Sequence, residues 1–313
     1  MHAGAPATNL GIAARDFACD LDISNEELSS LLDLAAQMKA EPGRYADALR
    51  GRSISLLFEK PSLRTKMTFE LAAQQLGGSS VFAGGMVGER EPVKDVARNL
   101  DRWTNAIVAR VFMQSTIEEL ARWSKVPVIN ALSDLYHPCQ ALADMMTLRE
   151  RFGDSQGLNF TFVGDGNNMA HSLMLSATRL GMNFTIATPP GYLPNREIVA
   201  EAEALAAISG GSLKITTDPE EAVTGANAVY TDVWASMGTE HEAEKRRKAF
   251  RKYQVSAGLF ALAATDAVFM HCLPAHRDEE VTDEVIESPQ SVVFDQAENR
   301  LHAQKALLLM LLD

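Results

Sequence analysis

The chain has 313 residues, of which 46% are hydrophobic and 22% are charged, and its formal net charge is −12. At about 150 residues per domain, this length predicts two globular domains. The acidic balance disfavours a nucleic-acid or anionic-membrane partner. Three widely spaced cysteines without a CxxC pair indicate neither a disulfide framework nor a zinc ribbon. We expect a cytoplasmic protein, because the N-terminus lacks the features of a secretory signal and no apolar run approaches the ~18–20 residues of a membrane span.

Short apolar runs alternate with amphipathic stretches along the chain. Strands are predicted at Ser53–Phe58, Ser79–Phe82, Ala106–Phe112, Val126–Asn130, Asn159–Val163, Asn183–Ala187, Leu213–Thr216, Ala226–Thr231 and Ala267–His271. Helices are predicted at Thr65–Leu76, Val93–Trp103, Thr116–Trp123, Pro138–Phe152, Asn168–Leu180, Asn195–Ala207 and Phe294–Leu312. This alternation predicts an α/β protein with doubly wound parallel sheets covered by helices on both faces. The long helix that begins at Pro138 is the best domain boundary, because it can join two sheets of similar size.

Polar residues just after strands are the first candidates for a site, because ligands of parallel α/β sheets bind at the carboxyl ends of the strands. Ser62, Arg64 and Thr65 follow the first strand and open a helix, where free N–H groups, two hydroxyls and a guanidinium suit a phosphate. The alternative is that Ser62 only caps the helix and that Arg64 is a surface charge. Arg110 ends an apolar run and needs an anionic partner, either a ligand or a core carboxylate.

A His-Pro-Cys-Gln sequence marks the start of the long helix. Pro138 fits the first helical position, which makes His137 the N-cap and places Gln140 near the same end. The positive end of a helix disfavours an imidazolium, so we expect His137 to be neutral. A neutral histidine and an amide beside Arg64 and Arg110 suit a carbonyl group and its developing oxyanion. The alternative is a capping histidine with a glutamine that faces solvent.

A glycine-rich turn, Gly164 to Met169, follows the fifth predicted strand. Met169 occupies the position where a dinucleotide fingerprint has glycine or alanine, and the next strand ends without the acid that binds an adenosine ribose. Both features oppose a nicotinamide-dependent dehydrogenase. Asn167 and Asn168 instead offer amides at a helix start, which suit a carboxylate.

Two later strand ends carry an acid, Asp232, and a thiol, Cys272. Together they suit an alkylammonium group, which must lose a proton before its amine attacks. The alternatives are a capping role for Asp232 and a buried apolar role for Cys272. A nucleophilic Cys272 would need a histidine base, for which His271 and His276 are candidates.

Seven motifs together resemble the aspartate/ornithine carbamoyltransferase family, most closely its ornithine-specific members. In chain order they are FEKPSLRT, ARVF, HPCQ, GDGNN, DVWASMG, HCLP and AENR. The resemblance extends from about Phe17 to the C-terminus, which is nearly the whole chain. Each motif is weak alone, but seven in this order and approximate spacing are highly specific.

The resemblance implies a first domain (residues 1–136) that binds carbamoyl phosphate and a second domain (137–292) that binds ornithine. A C-terminal helix (293–313) would return to the first domain. The implied reaction carries the carbamoyl group to the δ-amine of L-ornithine, giving L-citrulline and phosphate in arginine biosynthesis, without a metal or an organic cofactor. The resemblance also implies a homotrimer with active sites at the subunit interfaces, and a cis peptide bond between Leu273 and Pro274.

The family motifs also imply roles for individual residues. The carbamoyl phosphate site would comprise Ser62, Leu63, Arg64, Thr65, Arg110, His137, Gln140, Cys272, Leu273 and Arg300. The ornithine site would comprise Asn168, Asp232, Ser236 and Met237. The catalytic residues would be Cys272, Arg110, His137 and Asp232.

Two positions depart from the family pattern. Position 63 is Leu where Thr is common, which matters little if only the backbone N–H is used. Met86 replaces a Gln of some members in the Gly84–Pro92 loop, which reaches the neighbouring active site in the family trimers. A putrescine or N-acylornithine carbamoyltransferase is the alternative within the same chemistry, and a non-catalytic binding relative is the alternative outside it.

Overall fold

The computed structural model describes residues 11–235 and 242–313, which form two parallel β-sheets. The strands are β1 (Ser53–Phe58), β2 (Ser79–Gly84), β3 (Ala106–Arg110), β4 (Val128–Leu132), β5 (Asn159–Val163), β6 (Asn183–Ala187), β7 (Ser212–Thr216), β8 (Ala228–Thr231) and β9 (Val268–His271). The first sheet has the order β2-β1-β3-β4 and the second has the order β7-β6-β5-β8-β9. All of these strand pairs are parallel, which confirms the predicted α/β fold.

Helices cover both sheets. They are α1 (Asn25–Ala40), α2 (Leu63–Gln75), α3 (Val93–Trp103), α4 (Gln114–Trp123), α5 (Pro138–Phe152), α6 (Asn168–Arg179), α7 (Arg196–Ser209), α8 (Pro219–Val223), α9 (Ala243–Phe250), α10 (Ala257–Phe260), α11 (Asp283–Ile286) and α12 (Val293–Leu312). Each of the seven predicted helices is present, with ends that differ by at most two residues. The sequence analysis missed α1, although Ser24 and Glu27 form a reciprocal capping box at its start. The short helices α8 to α11 are too brief to show a helical period.

The strand predictions deviate mainly at their ends. The prediction extended β3 to Phe112, but the strand stops at Arg110 because the Phe112 N–H donates to the Glu59 carboxylate at 2.6 Å. β4 begins at Val128, two residues after its predicted start. The site residues that follow these strands are unaffected by the shifts.

Helices α5 and α12 lie between the sheets and carry the packing that joins them. α12 contacts α5, α1 and α2, so the C-terminal helix packs against elements next to the first sheet. α5 begins at Pro138, directly after the fourth strand's loop, and contacts α6 beside the second sheet. Within the described ranges, no helix combines the length and hydropathy required to cross a bilayer.

Candidate active site

A cavity of about 490 Å³ lies at the carboxyl ends of strands from both sheets. Its lining includes most of the predicted site residues: Ser62, Leu63, Arg64, Arg110, His137, Asn168, Asp232, Cys272, Leu273 and Arg300. Thr65 and Gln140 lie behind this lining, while Ser236 and Met237 are outside the described residues. Lys60, Leu132 and His276 also line the cavity, although the family motifs assigned them no role. A larger groove of about 870 Å³ near Arg251 contains none of the predicted site residues.

The start of α2 forms one wall of the cavity. Ser62 is the N-cap, and its hydroxyl accepts a hydrogen bond from the Thr65 N–H at 3.3 Å. Ser62 therefore caps the helix and lines the cavity, so the two interpretations of this residue are compatible. Leu63 is 74% exposed and is the first residue of α2. Arg64 is partly buried, and this burial lowers the pKa of its guanidinium.

Arg110 and Arg300 add two buried guanidinium groups beside Arg64. Arg300 donates to the Thr65 hydroxyl at 2.8 Å, and the Nε atoms of Arg110 and Arg300 are buried without a hydrogen-bond partner. Burial and the charge of Arg300 lower the pKa of Arg110 to about 10, so it remains positive at neutral pH. Across the described parts of the chain, no carboxylate forms an ion pair with any of these three arginines. The core ion pair considered for Arg110 is therefore not seen, and the cluster has the charge expected of an anion site.

His137 lies at the N-cap of α5 and is 7% exposed. Its Nδ1 is buried without a hydrogen-bond partner, while its backbone N–H donates to the Ser172 hydroxyl at 2.9 Å. The pKa of the imidazole lies well below its ordinary value, first because of burial and then because of Arg300 and Arg110. The ring is therefore neutral, as predicted, and burial and the nearby cations account for the lowered pKa.

Gln140 lies one turn into α5 and is buried. Its Nε2 donates to Asp144 at 2.8 Å, which leaves its Oε1 buried without a partner. The alternative, a glutamine that faces solvent, is therefore wrong. The amide therefore has its donor end bonded within the protein and its acceptor end free.

The glycine-rich turn is shaped by the protein's own backbone. A Cβ on Gly166 would lie 2.3 Å from the Pro194 nitrogen, so this position needs glycine because another segment approaches closely. Asn167 is the N-cap of α6 and donates from Nδ2 to Asp232 at 2.9 Å. Asn168 donates to the Ser133 carbonyl at 2.6 Å and lines the cavity. The turn thus positions Asp232 and connects the two sheets.

Asp232 and Cys272 meet at the ends of adjacent strands β8 and β9. The Cys272 thiol donates to Asp232 Oδ1 at 3.1 Å. Burial and the Asp232 charge raise the pKa of the Cys272 thiol well above its ordinary value. The thiol is therefore protonated at neutral pH and acts as a hydrogen-bond donor, which argues against a thiolate nucleophile.

His271 supports this loop from behind. Its Nδ1 accepts from the Leu273 N–H at 2.8 Å, and its Nε2 lies 3.2 Å from the Glu280 carboxylate. Both ring nitrogens are engaged, so His271 cannot serve as a base for Cys272 or as a free metal ligand, although ligand atoms of Asp232, His271 and Cys272 lie within 4.8 Å of one another. The Leu273–Pro274 bond is cis, as the family resemblance implied.

Sequence reasoning missed a set of buried residues behind the cavity. Asp144, Tyr230 and Gln296 form a hydrogen-bonded cluster next to Gln140. The only sequence signal was the spacing of Gln140 and Asp144, which places them on one helix face. A second buried group is Arg246, which pairs with Asp165 at 2.5 Å and donates to the Trp234 carbonyl at 3.0 Å. No local sequence pattern connects Arg246 with a partner 81 positions away.

The cavity thus has three arginines without a carboxylate partner on one side and an acid with a thiol on the other. Two family models match the chain. The carbamoyl-P binding domain of aspartate/ornithine carbamoyltransferase matches residues 15–150, and the Asp/Orn binding domain matches residues 156–311. The chain belongs to the aspartate/ornithine carbamoyltransferase family.

Individual relatives are similar over nearly their whole length. The ornithine carbamoyltransferase of Thermococcus kodakarensis is 50% identical over 308 residues, which cover 97% of this chain and 98% of the relative. The anabolic ornithine carbamoyltransferase of Pyrococcus furiosus is 49% identical over the same length, with 97% and 98% covered. A solved structure of ornithine carbamoyltransferase from that organism has a TM-score of 0.93 and covers 96% of this chain and 97% of its own. A solved acetylornithine transcarbamylase is 34% identical, with a TM-score of 0.87, and covers 95% of this chain and 99% of its own.

Proposed function

We propose that this chain is an ornithine carbamoyltransferase, which transfers the carbamoyl group of carbamoyl phosphate to the δ-amine of L-ornithine. The products are L-citrulline and phosphate. The observation that carries the proposal is the convergence of Arg64, Arg110 and Arg300 with Asp232 and Cys272 on one cavity. The cations match the donor phosphate, and the acid matches the acceptor ammonium. The names of the full-length relatives support the same substrates.

The donor half of the site would bind carbamoyl phosphate. The N-terminus of α2, through Ser62, the Leu63 N–H, Arg64 and Thr65, would hold the phosphate. Arg110 and neutral His137 would donate to the carbamoyl oxygen, where negative charge develops when the carbonyl carbon is attacked. Gln140, Cys272, Leu273 and Arg300 would complete this half. The unpartnered polar atoms of Arg110, His137, Gln140 and Arg300 are the groups that this ligand would satisfy.

The acceptor half would bind ornithine. Asp232 and Cys272 would receive the δ-nitrogen, and Asn168, Ser236 and the Met237 main chain would hold the α-amino and α-carboxylate groups. The three nearby arginines disfavour an ammonium, so they promote the loss of the proton that frees the lone pair. The new C–N bond then forms at the carbonyl carbon, and the attacking nitrogen gives up a second proton to a phosphate oxygen. The C–O bond to phosphate breaks, and hydrogen phosphate leaves against Arg64 and the helix N-terminus.

Comparison of acceptors in parallel tests this function. Citrulline formation from carbamoyl phosphate is measured with L-ornithine, and carbamoylated product is measured with N-acetylornithine, putrescine and aspartate. We expect a clear preference for ornithine, because Asp232 suits a cationic side chain and Asn168 suits free α-groups. Preference for another amine would retain the donor half and overturn the acceptor half. No turnover with any acceptor, from folded protein that still binds carbamoyl phosphate, would instead indicate a non-catalytic relative.

We also propose a homotrimer with active sites at the subunit interfaces. Exposed apolar side chains near the site support a contact with another subunit, because such a patch marks an interaction surface. On and around the edge strand β2 these residues are Leu63, Met67, Val81, Phe82 and Met86. Light scattering of the purified protein measures the mass directly, and a monomeric mass would contradict this part.

We further propose that residues 1–136, completed by helix 293–313, bind carbamoyl phosphate and that residues 137–292 bind ornithine. We also propose a cytoplasmic location and a biosynthetic direction of the reaction. The anabolic relative supports the direction. Separate calorimetric titrations with carbamoyl phosphate and with ornithine, on variants of each half, test the division of binding between the domains.

A further inference from the structure

A buried carboxylate, Asp144, lies behind the cavity and has no role in the chemistry described above. It is on α5, one turn after Gln140, and is fully buried. Its Oδ1 accepts from Gln140 Nε2 and from Gln296 Nε2, both at 2.8 Å, and its Oδ2 accepts from the Tyr230 hydroxyl at 3.1 Å. Burial raises the pKa of Asp144 to about 6, so the group is ionised at neutral pH.

Asp144 determines which way the Gln140 amide faces. An ionised carboxylate accepts hydrogen bonds and cannot donate them, so only the –NH₂ end of the amide is compatible with it. A flipped amide would place Gln140 Oε1 against the carboxylate, with two buried acceptors in contact. The observed orientation therefore leaves Oε1 as the buried, unpartnered atom.

An acceptor at this position matters because the surrounding groups are mostly donors. Arg110 and Arg300 have only N–H groups to offer, and they suit phosphate and carbonyl oxygens. The carbamoyl –NH₂ group is itself a donor and needs an acceptor. Gln140 Oε1 meets that need only while the amide keeps its orientation.

We propose that Asp144 is a positioning residue that fixes the Gln140 amide and thereby selects a carbamoyl donor over an acyl donor without the –NH₂ group. This inference rests on the proposed function. Asp144 also contacts elements that carry the acceptor half: Tyr230 lies on β8 before Asp232, and Gln296 accepts from the His271 N–H before Cys272 at 2.9 Å. The Asp144 carboxylate thus accepts hydrogen bonds from residues that lie next to both halves of the site.

The test compares carbamoyl phosphate with acetyl phosphate, in which a methyl group replaces –NH₂. Initial rates of citrulline formation give KM for carbamoyl phosphate, and competitive inhibition gives Ki for acetyl phosphate. In Asp144→Leu we expect KM to rise about 10- to 100-fold, the size of effect expected when a hydrogen bond to a buried group is lost. The Ki for acetyl phosphate should change by less than about threefold, because that ligand makes no use of the orientation.

Three further variants separate positioning from a general structural role. Asp144→Asn keeps the shape and one acceptor, so its KM should lie between those of the wild type and Asp144→Leu, and it preserves the test if the leucine variant does not fold. Tyr230→Phe removes one contact of Asp144 without touching Gln140 and should leave KM within about threefold. Adding Asp144→Leu or Asp144→Asn to Gln140→Ala should raise KM by less than about twofold, because residues that act through one another are not additive.

Two results would overturn the inference. One is an equal loss for carbamoyl phosphate and acetyl phosphate in the Asp144 variants, and the other is a full additional loss on the Gln140→Ala background. Failure of the proposed function is distinguishable, since the wild-type protein would then form no citrulline from carbamoyl phosphate and ornithine.

Discussion

The two halves of the cavity differ in how far their polar groups are already satisfied. In the half next to the first sheet, Arg110 Nε, His137 Nδ1 and Arg300 Nε are buried without partners. In the half next to the second sheet, Asp232 accepts from Cys272 and Asn167, and the Asn168 amide is bonded to Ser133. The first half therefore has buried polar atoms without protein partners, whereas the polar groups of the second half are bonded to one another.

This difference predicts different costs of binding. An anion that reaches Arg110 Nε and Arg300 Nε gains hydrogen bonds without breaking protein ones, since these buried donors have no partner. A ligand that enters the second half must replace existing bonds, such as the thiol to Asp232. Donor binding should therefore need no rearrangement around Asp232, while acceptor binding should depend on it.

Loss of a donor-half arginine gives the largest expected effect. In Arg110→Met, kcat/KM for carbamoyl phosphate should fall about 10³-fold, because a charged donor to the developing oxyanion is removed. Steady-state citrulline formation measures the change. Arg50→Met, which alters an exposed arginine paired with Asp47, is the matched control and should retain wild-type rates. Near-normal activity of Arg110→Met would show that the cation cluster is not the donor site.

Changes at the thiol should have a smaller effect and should distinguish a donor from a nucleophile. Because the raised pKa keeps Cys272 protonated, its role is to donate to Asp232, and a serine hydroxyl can do the same. We expect kcat/KM for ornithine to fall about 100-fold in Cys272→Ala and about tenfold or less in Cys272→Ser. Inactivation of Cys272→Ser to the level of Cys272→Ala, or a covalent carbamoyl-thiol adduct detected by mass spectrometry, would contradict the donor role.

The contact between the N-terminal segment and α6 should affect stability and leave turnover unchanged. Asp20 accepts from the Ser172 hydroxyl at 2.6 Å, and burial raises the pKa of Asp20 to about 7. The folded state therefore binds more protons than the unfolded state between about pH 4 and pH 7. The free energy of unfolding should fall as the pH rises through that window, by at most about 4 kcal/mol, and this contribution should be constant above it.

Asp20→Asn keeps an acceptor for Ser172 and removes the titration. Urea unfolding between pH 5 and pH 8 should show the variant gaining stability relative to the wild type as the pH rises. If the free energy of unfolding changed with pH in the same way for the two proteins, Asp20 would not titrate in this range. Its pKa would then not be raised by burial. The control is Asp47→Asn, which alters an exposed carboxylate.

Local features of the sequence predict most of the fold and the inner surface of the site. Apolar runs and helix-start residues locate the strands and long helices because burial and capping act over a few residues. Strand-end position identifies Arg110, Asp232 and Cys272 before any contact is known, since parallel strands bring their carboxyl ends to one edge. The end of β3 was misplaced because the Glu59 carboxylate that terminates it lies 53 positions away.

The buried cluster of Asp144, Tyr230 and Gln296 could not be predicted from the sequence for the same reason. Tyr230 contacts Asp144 across 86 positions, and Gln296 contacts it across 152. Such pairs depend on the packing of β8, α5 and α12, which no local pattern encodes. The state of His137 shows a further limit. Its neutrality was predicted, but its lowered pKa is due in part to the charge of Arg300, which lies more than 160 positions away in sequence.

The most direct test of two separable halves is calorimetric titration of Asp232→Asn protein with phosphonoacetamide, a stable analogue of carbamoyl phosphate. Separate halves predict a Kd within about twofold of wild type, because the arginines that bind the anion are unchanged. A loss of more than about tenfold in affinity would contradict the division, since it would mean that Asp232 shapes the donor site as well as the acceptor site.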